Sequence, residues 1–173
     1  QAGPAASGSV SKVVLQWGSA YGKAYQIQTS ADGANWTTSY STTTGAGGTE
    51  TLNVTGSGRY VRMNGITRGT GYGYSLWEFQ VYGSLTGGGG GSCDSANAAQ
   101  GKTATSSSTE NYGTPAANAV DGNTGTRWSS ANTDPQWLQV DLGSVQQICR
   151  VVLNWESAYG KAYQIQTSAD GAN

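Results

Sequence analysis

The densest set of oxygen-bearing side chains lies in one short loop, Asn118–Thr126, which reads NAVDGNTGT. A calcium ion takes about six to eight oxygen ligands, and a glycine-rich loop lets several backbone carbonyls converge on it. Asp121 would add a carboxylate and Thr126 a hydroxyl. The same residues also suit an ordinary turn, in which Asp121 accepts hydrogen bonds from the backbone that follows it. The spacing alone favours the turn.

Side chains for other chemistry are scarce. None of the 173 residues is His, which excludes His-dependent triads, imidazole acid–base catalysis and the usual zinc sites. A net charge of −1 provides no attraction to nucleic acid or to an anionic membrane surface. No apolar run approaches the roughly 20 residues that span a bilayer. Six Trp and ten Tyr stand against a single Phe, and such amphipathic rings suit sugar faces as well as a protein core.

The two cysteines, Cys93 and Cys149, lie far apart and form no CxxC motif. In a chain rich in Gly, Ser and Thr and poor in charge, a disulfide in an exported protein is favoured over a reactive thiol. The sequence therefore predicts a Cys93–Cys149 bridge and an extracellular location.

The segments that must position these residues have the pattern of short β-strands. Apolar or alternating runs occur at Val13–Trp17, Ala24–Thr29, Trp36–Thr42, Thr51–Val54, Arg59–Met63, Leu76–Tyr82 and Trp137–Leu142. Gly-rich stretches separate them, and no window shows a sustained helical period with caps. We predict an all-β fold, a sandwich of short strands.

One 24-residue segment occurs twice. Lys12–Asn35 and Arg150–Asn173 differ only at Lys12/Arg150, Gln16/Asn154 and Gly18/Glu156. A repeat this close indicates tandem modules, and the glycine-rich stretch between the copies has the composition of a flexible tether. We predict a lead-in at 1–11, the C-terminal part of one module at 12–83, a linker at 84–92 and the N-terminal part of a second module at 93–173.

Several long segments resemble one known family. AVDGNTGTRWSS, DPQWLQVDLG, VVLNWESAYGKAYQIQTSADGAN and RYVRMNGITRGTGYGYSLWEFQVYG are similar to the discoidin or F5/8 type C fold, in the form used by bacterial carbohydrate-binding modules of family 32. Within that family the likeness is to modules of secreted chitosanases and β-glucanases. It covers nearly everything from Lys12 onward except the linker. It implies a galactose-binding-like β-sandwich, or jelly roll, whose sequence order is permuted, because a family module runs from a start like Cys93 to an end like LWEFQVYG.

The resemblance also assigns a role to the Asn118–Thr126 loop. In the family, this loop binds a structural calcium ion together with a Glu near the C-terminal strand, and Glu78 is the matching residue. The implied ligands are Asn118, Asp121, Asn123, Thr126 and Glu78. Because Glu78 and the loop lie on opposite sides of the linker, such a site would join the two halves of the chain.

The resemblance places ligand binding at the loop end of the sandwich. The matching residues are Glu110, Asn132, Glu156 and Tyr72 or Tyr74. The carboxylates would hold glucosamine ammonium groups and a Tyr would stack on a pyranose ring. Chitosan-binding relatives can carry a third acid where this chain has Asn132. The residues alone allow Glu156 equally well to be a solvated loop charge.

These features predict a non-catalytic module that holds a secreted bacterial polysaccharide hydrolase near its polymer. Chitosan or glucosamine oligomers are the first expected ligand and β-1,3-glucan is the second. Paired carboxylates also occur in glycosidases, but no further acid or apolar cleft signal accompanies this pair, so no catalytic residue is predicted.

Two alternatives concern function and assembly. Some discoidin domains bind phospholipid or cell surfaces through apolar loop tips, but the loops here are rich in Gly, Thr, Ser and Asn and carry no Phe or Leu spikes. The halves could fold as one permuted module, as a strand-swapped homodimer or within a longer tandem array. The sequence does not distinguish these three assemblies.

Overall fold

A computed structural model describes residues 13–16, 24–28, 36–85, 96–168 and 171, and of residues 13–16, 24–28, 55, 84, 85 and 145–147 it describes the backbone alone. The strands are β1 (Val13–Gln16), β2 (Ala24–Gln28), β3 (Thr37–Thr43), β4 (Thr49–Arg68), β5 (Ser75–Leu85), β6 (Thr103–Ser106), β7 (Trp128–Ser129), β8 (Gln136–Trp155) and β9 (Gly160–Ser168). A short 3-10 helix spans Ala116–Val120.

The all-β prediction is confirmed. The strands form one nine-stranded sheet in the order β2-β3-β9-β4-β1-β8-β5-β7, with β6 paired to β8 and with further direct pairings of β4 to β8 and of β2 to β9. Apart from the single 3-10 helix, the described residues form no helix. Accordingly, no described helix has the length and apolar character needed to cross a membrane.

Two 20-residue strands, β4 and β8, form the centre of the sheet. They pair antiparallel from Thr49↔Asn154 to Gly65↔Gln136. The sequence predicted two separate strands where β4 runs continuously, because Gly56-Ser57-Gly58 interrupts the apolar pattern. In the structure the register shifts on both sides of this triplet. Bulges and glycines of this kind bend a strand without ending it.

The hydrophobic core shows why the bend matters. It contains Leu52 and Val54 before the bend of β4, together with Val61 and Met63 after it. It also takes residues from both ends of β8, including Leu138, Val140, Leu142, Ile148, Val151, Leu153 and Trp155. A flat sheet cannot bring both ends of one long strand into the same core. The sheet therefore folds over into two layers, which gives a galactose-binding-like β-sandwich.

One predicted boundary needs correction. The linker was expected to begin at Ser84, but β5 continues through Leu85. Ser84 and Leu85 are held in the sheet because they pair with Gln147 and Gln146 of β8. The rest of the predicted linker and the predicted lead-in lie outside the described residues.

Candidate functional site

An open cavity of about 260 Å³ brings together four of the five residues expected to bind ligand. Glu110, Asn132, Glu156 and Tyr72 all line it, although they come from distant parts of the chain. The other lining residues are Gly73, Arg127, Ser129, Ser130, Ser157 and Ala158. The lining side chains therefore include two carboxylates, one guanidinium, several hydroxyls and one exposed aromatic ring.

Backbone hydrogen bonds position the two acidic residues. β5 pairs with β7 at Ser75↔Ser129. The N–H of Glu110 donates to the carbonyl of Ser129, and the N–H of Glu156 donates to the carbonyl of Ser75, each at 2.8 Å. The two acids therefore flank one strand pair, and their spacing is set by the sheet.

Arg127 is a cavity residue that the sequence analysis did not assign to the site. Its Nε donates to the Ser75 hydroxyl at 3.1 Å, and its Nη2 lies 3.7 Å from Oε2 of Glu110. Glu110 is thus already partly neutralised. One sequence feature could have drawn attention to Arg127. It comes directly before Trp128, a buried residue that begins the short strand β7.

Glu156 differs from Glu110 in its partners. Its Oε2 accepts a hydrogen bond from the N–H of Ala158 at 2.9 Å, which fixes the carboxylate at the cavity wall. A carboxylate has about four acceptor positions, so this contact leaves most of them for a ligand. Tyr72, on the same cavity, is 70% exposed, and its ring face is accessible for stacking.

The expectation that Tyr74 could serve in place of Tyr72 is wrong. Tyr74 is fully buried, its ring centroid lies 6.1 Å from that of Trp155, and its O–H donates to Asp134. Burial, assisted by that carboxylate, raises the pKa of the Tyr74 phenol far above its usual range. The ring fits because Gly65 and Gly160 pass so close to it that a Cβ at either position would clash.

Residues close to Glu110 in the sequence line a second cavity, of about 370 Å³. Thr109, Asn111, Tyr112 and Pro115 line it. Tyr112 is completely exposed. The sequence analysis did not single out this ring, although the run Glu110-Asn111-Tyr112 placed it next to a predicted ligand residue.

The predicted metal loop is held by its own hydrogen bonds. Oδ1 of Asp121 accepts from the N–H of Asn123 at 2.8 Å, and Oδ2 accepts from the Thr126 hydroxyl at 2.7 Å. Gly122, at φ +77°, supplies the left-handed conformation that the turn requires. Asn118 donates through Nδ2 to the carbonyls of Gly113 and Arg127, each at 3.1 Å. These contacts are those of a turn, and Asp121 is its centre.

Glu78 supplies the observation that a turn alone does not explain. This β5 residue is 2% exposed, and neither carboxylate oxygen has a hydrogen-bond partner of good geometry. Burial raises the pKa of Glu78 to about 7, and the nearby Asp121 carboxylate adds to the rise. The backbone N–H groups of Gly122 and Asn123 offset this only in part.

Buried acid beside a second acid is the environment that a hard cation neutralises. Among the described residues, no group of three or more acidic, Cys or His side chains gathers as a metal centre would. A calcium ion here would therefore take its remaining ligands from amide, hydroxyl and backbone oxygens of the Asn118–Thr126 loop. The residues present fit that requirement.

Of the predicted disulfide, one half can be described. Cys149 is buried and disulfide-bonded, and Cys93 lies outside the described residues.

Comparison with known proteins gives matches on both sides of the glycine-rich segment. The F5/8 type C domain matches residues 102–173, and the NedA-like, galactose-binding domain matches residues 5–63. The chain is also similar to the polysaccharide lyase 8 family protein HylA of Enterococcus faecalis (strain ATCC 700802 / V583), at 49% identity over 53 residues. That stretch is 31% of this chain and 4% of HylA, so the chain spans a small part of this relative. No solved structure gives a significant match. Two stretches of this chain, each containing one copy of the repeat, therefore match discoidin-like domains of the F5/8 type C kind.

Proposed function

We propose that this chain is an extracellular, non-catalytic carbohydrate-binding module of a bacterial polysaccharide-degrading enzyme, with a polysaccharide as its partner. The observation that carries the proposal is the convergence of Glu110, Asn132, Glu156 and Tyr72 on one open cavity. A ring for stacking beside hydrogen-bonding groups is what a pyranose requires. The names of the matching domain and of the lyase support a saccharide ligand.

Chitosan or glucosamine oligomers are the first-choice ligand. Two carboxylates against one guanidinium leave the cavity with an excess of negative charge. Glu156 carries most of the proposed ammonium contact, because Glu110 is already close to Arg127. Charge-assisted hydrogen bonds of this kind are stronger than neutral ones. β-1,3-Glucan is the second choice, since Arg127, Asn132 and the two serines suit neutral hydroxyl groups.

The test is calorimetric titration of glucosamine oligomers and of uncharged laminari-oligosaccharides against the wild type and Glu156→Gln. Loss of one charged contact is expected to weaken glucosamine binding about tenfold, or about 1.4 kcal/mol, and to change laminari-oligosaccharide binding little. Asp141→Asn is the matched control, because it removes the same charge from a residue outside the cavity. Equal glucosamine affinity in wild type and Glu156→Gln contradicts the charge pairing.

We further propose that Glu78 and the Asn118–Thr126 loop hold a structural calcium ion. The unpartnered oxygens of Glu78 support this. The ion would supply positive charge between Glu78 and Asp121 and would thereby join a strand from before the linker to a loop after it.

The non-catalytic assignment has its own test. Incubation of the chain with chitosan and with laminarin is expected to release no oligosaccharide. Turnover of either polymer would contradict the non-catalytic assignment and would make the two cavity acids the first candidates for a glycosidase pair.

Adhesion to phospholipid has less support. The exposed large apolar side chains among the described residues are Ile66, Tyr72 and Tyr112. Two of the three carry a hydroxyl, and Tyr72 lines the proposed sugar cavity. Sedimentation with phosphatidylserine liposomes is expected to leave the chain in the supernatant.

A further inference from the structure

One loop contributes residues to the two cavities described above. Glu110 lines the first cavity, whereas its chain neighbours Thr109 and Asn111 line the second, together with Tyr112 and Pro115. Consecutive Cα atoms are about 3.8 Å apart, so the Cα atoms of Glu110 and Tyr112 are separated by at most about 7 Å. That span is comparable with the length of one sugar unit. The two cavities are therefore neighbours on the surface.

The loop is anchored at both ends to the same residue of β7. The N–H of Glu110 donates to the carbonyl of Ser129 at 2.8 Å, and the N–H of Ser129 donates to the carbonyl of Thr114 at 3.3 Å. Ser129 is buried, and the short strand β7 that contains it pairs with β5. The sheet thus fixes both ends of the loop, and with them the position of Tyr112 relative to Glu110.

Within the loop, a turn holds the backbone on either side of Tyr112. Oδ1 of Asn111 accepts from the N–H of Gly113 at 2.8 Å, and the N–H of Thr114 donates to the Asn111 carbonyl at 3.2 Å. Nδ2 of Asn118 donates to the carbonyl of Gly113 at 3.1 Å. Because this backbone is already ordered, a ligand can contact the fully exposed Tyr112 ring at little cost in loop entropy.

The exposure of Tyr112 coincides with a cavity and with polar neighbours. A single exposed apolar side chain is normal on a protein surface. Tyr112, however, borders a cavity in which Thr109 supplies a hydroxyl and Asn111 an amide. A ring for stacking beside hydrogen-bonding groups is again the combination that suits a pyranose.

The two cavities differ in charge. The first is lined by two carboxylates and one guanidinium, whereas none of the residues that line the second, Thr109, Asn111, Tyr112 and Pro115, is charged. A sugar in the second cavity would be held by ring stacking and neutral hydrogen bonds, which do not require an amino group. Selectivity for a cationic sugar would then come from the first cavity alone.

We propose that the second cavity is an additional saccharide subsite. In it, Tyr112 stacks on one ring of a polymer chain whose neighbouring ring occupies the first cavity. This inference rests on the proposed function and narrows its ligand to an oligosaccharide of at least two consecutive units. Because the loop fixes the distance between the subsites, the second contact is intramolecular, and the two contacts reinforce each other.

Titration of glucosamine and of its tetramer against the full chain, followed by NMR chemical shifts, tests the subsite. Tyr112→Ala is expected to weaken tetramer binding about threefold to tenfold through one lost stacking contact, and to leave monomer binding unchanged. Because the second cavity is neutral, the same loss is expected with laminaritetraose. Tyr112→Phe should retain the wild-type affinity, since it keeps the ring.

Two further variants serve as controls. Tyr72→Ala should weaken binding of both monomer and tetramer, because Tyr72 lines the first cavity. Ile66→Ala also removes an exposed large apolar side chain, but Ile66 lines neither cavity. It should therefore bind both ligands as the wild type does.

Ionic strength gives a second readout with the glucosamine tetramer. The loss caused by Tyr112→Ala should be the same at low and at high salt, because the contact involves no charged side chain. The loss caused by Glu156→Gln should shrink at high salt, which screens its contact with an ammonium group. A salt-dependent loss for Tyr112→Ala would overturn the neutral subsite.

The outcomes separate this inference from the proposed function. Equal tetramer affinity in wild type and Tyr112→Ala would overturn the subsite and leave the proposed function standing. An equal loss for monomer and tetramer would do the same, because Tyr112 would then belong to the first cavity. Failure of the wild type to bind either tetramer would contradict the proposed function and the subsite together.

Discussion

Two pairs of acidic residues in this molecule differ in their access to solvent. Glu78 is buried near Asp121 without a hydrogen-bond partner of good geometry, and burial raises its pKa to about 7. Glu110 and Glu156 line an open cavity, and each has a partner, a guanidinium for Glu110 and a backbone N–H for Glu156. The same functional group is thus prepared for different ligands. A carboxylate shielded from solvent is neutralised by a proton or by a cation, whereas one in contact with solvent can exchange water for a polar ligand.

The largest effect expected from this contrast is a calcium-dependent gain in stability. Calcium at a hundred times its Kd should raise the free energy of unfolding of the wild type by about 2.7 kcal/mol, and chelation should reverse the gain. Glu78→Gln should abolish the response, whereas Glu156→Gln should retain it. Thermal unfolding with and without calcium measures both. An equal response in wild type and Glu78→Gln would remove the distinction between the two acidic pairs.

The next effect separates the two cavity acids from each other. Glu110→Gln should weaken glucosamine binding less than the roughly tenfold loss expected for Glu156→Gln, because Arg127 already neutralises Glu110 in part. Both substitutions remove one charge, so each is the control for the other. Calorimetric titration at one ionic strength measures the two losses. A larger loss for Glu110→Gln would show that Arg127 does not weaken that contact.

Tyr72 and Tyr74 show the same contrast between an exposed and a buried side chain. Tyr72→Ala should lower sugar affinity by about 0.5–1.5 kcal/mol through lost stacking, with little effect on thermal stability. Tyr74→Phe should leave the affinity unchanged and lower stability by about 1 kcal/mol, because it removes the buried hydrogen bond to Asp134. Loss of affinity in Tyr74→Phe would show that the buried ring positions the cavity.

The smallest effect concerns Asp141, an acid that is half-buried and paired. Asp141 accepts two hydrogen bonds from Arg59, at 2.7 and 2.8 Å, and this pairing lowers the pKa of Asp141. A lowered folded-state pKa means that the pair stabilises the protein above the ordinary pKa of 3.8 and that this gain is lost as the pH falls through the folded value. Asp141→Asn should therefore be less stable than wild type at pH 7. The difference should disappear toward pH 2, and denaturant unfolding across that range measures it.

Local pattern was enough to predict most strands, because alternation of apolar residues reports directly on burial. The apolar pattern is interrupted at Gly56-Ser57-Gly58, where pairing with β8 keeps β4 continuous. It also ended β5 too early, since Leu85 depends on pairing with Gln146. In both places the deciding contact comes from residues more than 60 positions away in the sequence.

The candidate site followed from resemblance, and its one error has a similar origin. Tyr72 and Tyr74 flank one glycine and have equivalent local surroundings. Which ring turns inward depends on Gly65 and Gly160, which belong to other strands and leave room for Tyr74. The sequence assigned no binding role to Arg127, because its short distance to Glu110 arises only when β7 lies beside β5.

β4 lies far in the sequence from β8 and β9, with which it pairs, and this distance has a consequence for synthesis of the chain. β4 is complete at Arg68, whereas β8 begins at Gln136 and β9 at Gly160. At about 5–20 residues per second, the ribosome needs several seconds to produce the intervening chain. During that delay β1 and β2, which pair with β4 and β3, have already emerged. We expect these pairs to form before β8 and β9 have been synthesised.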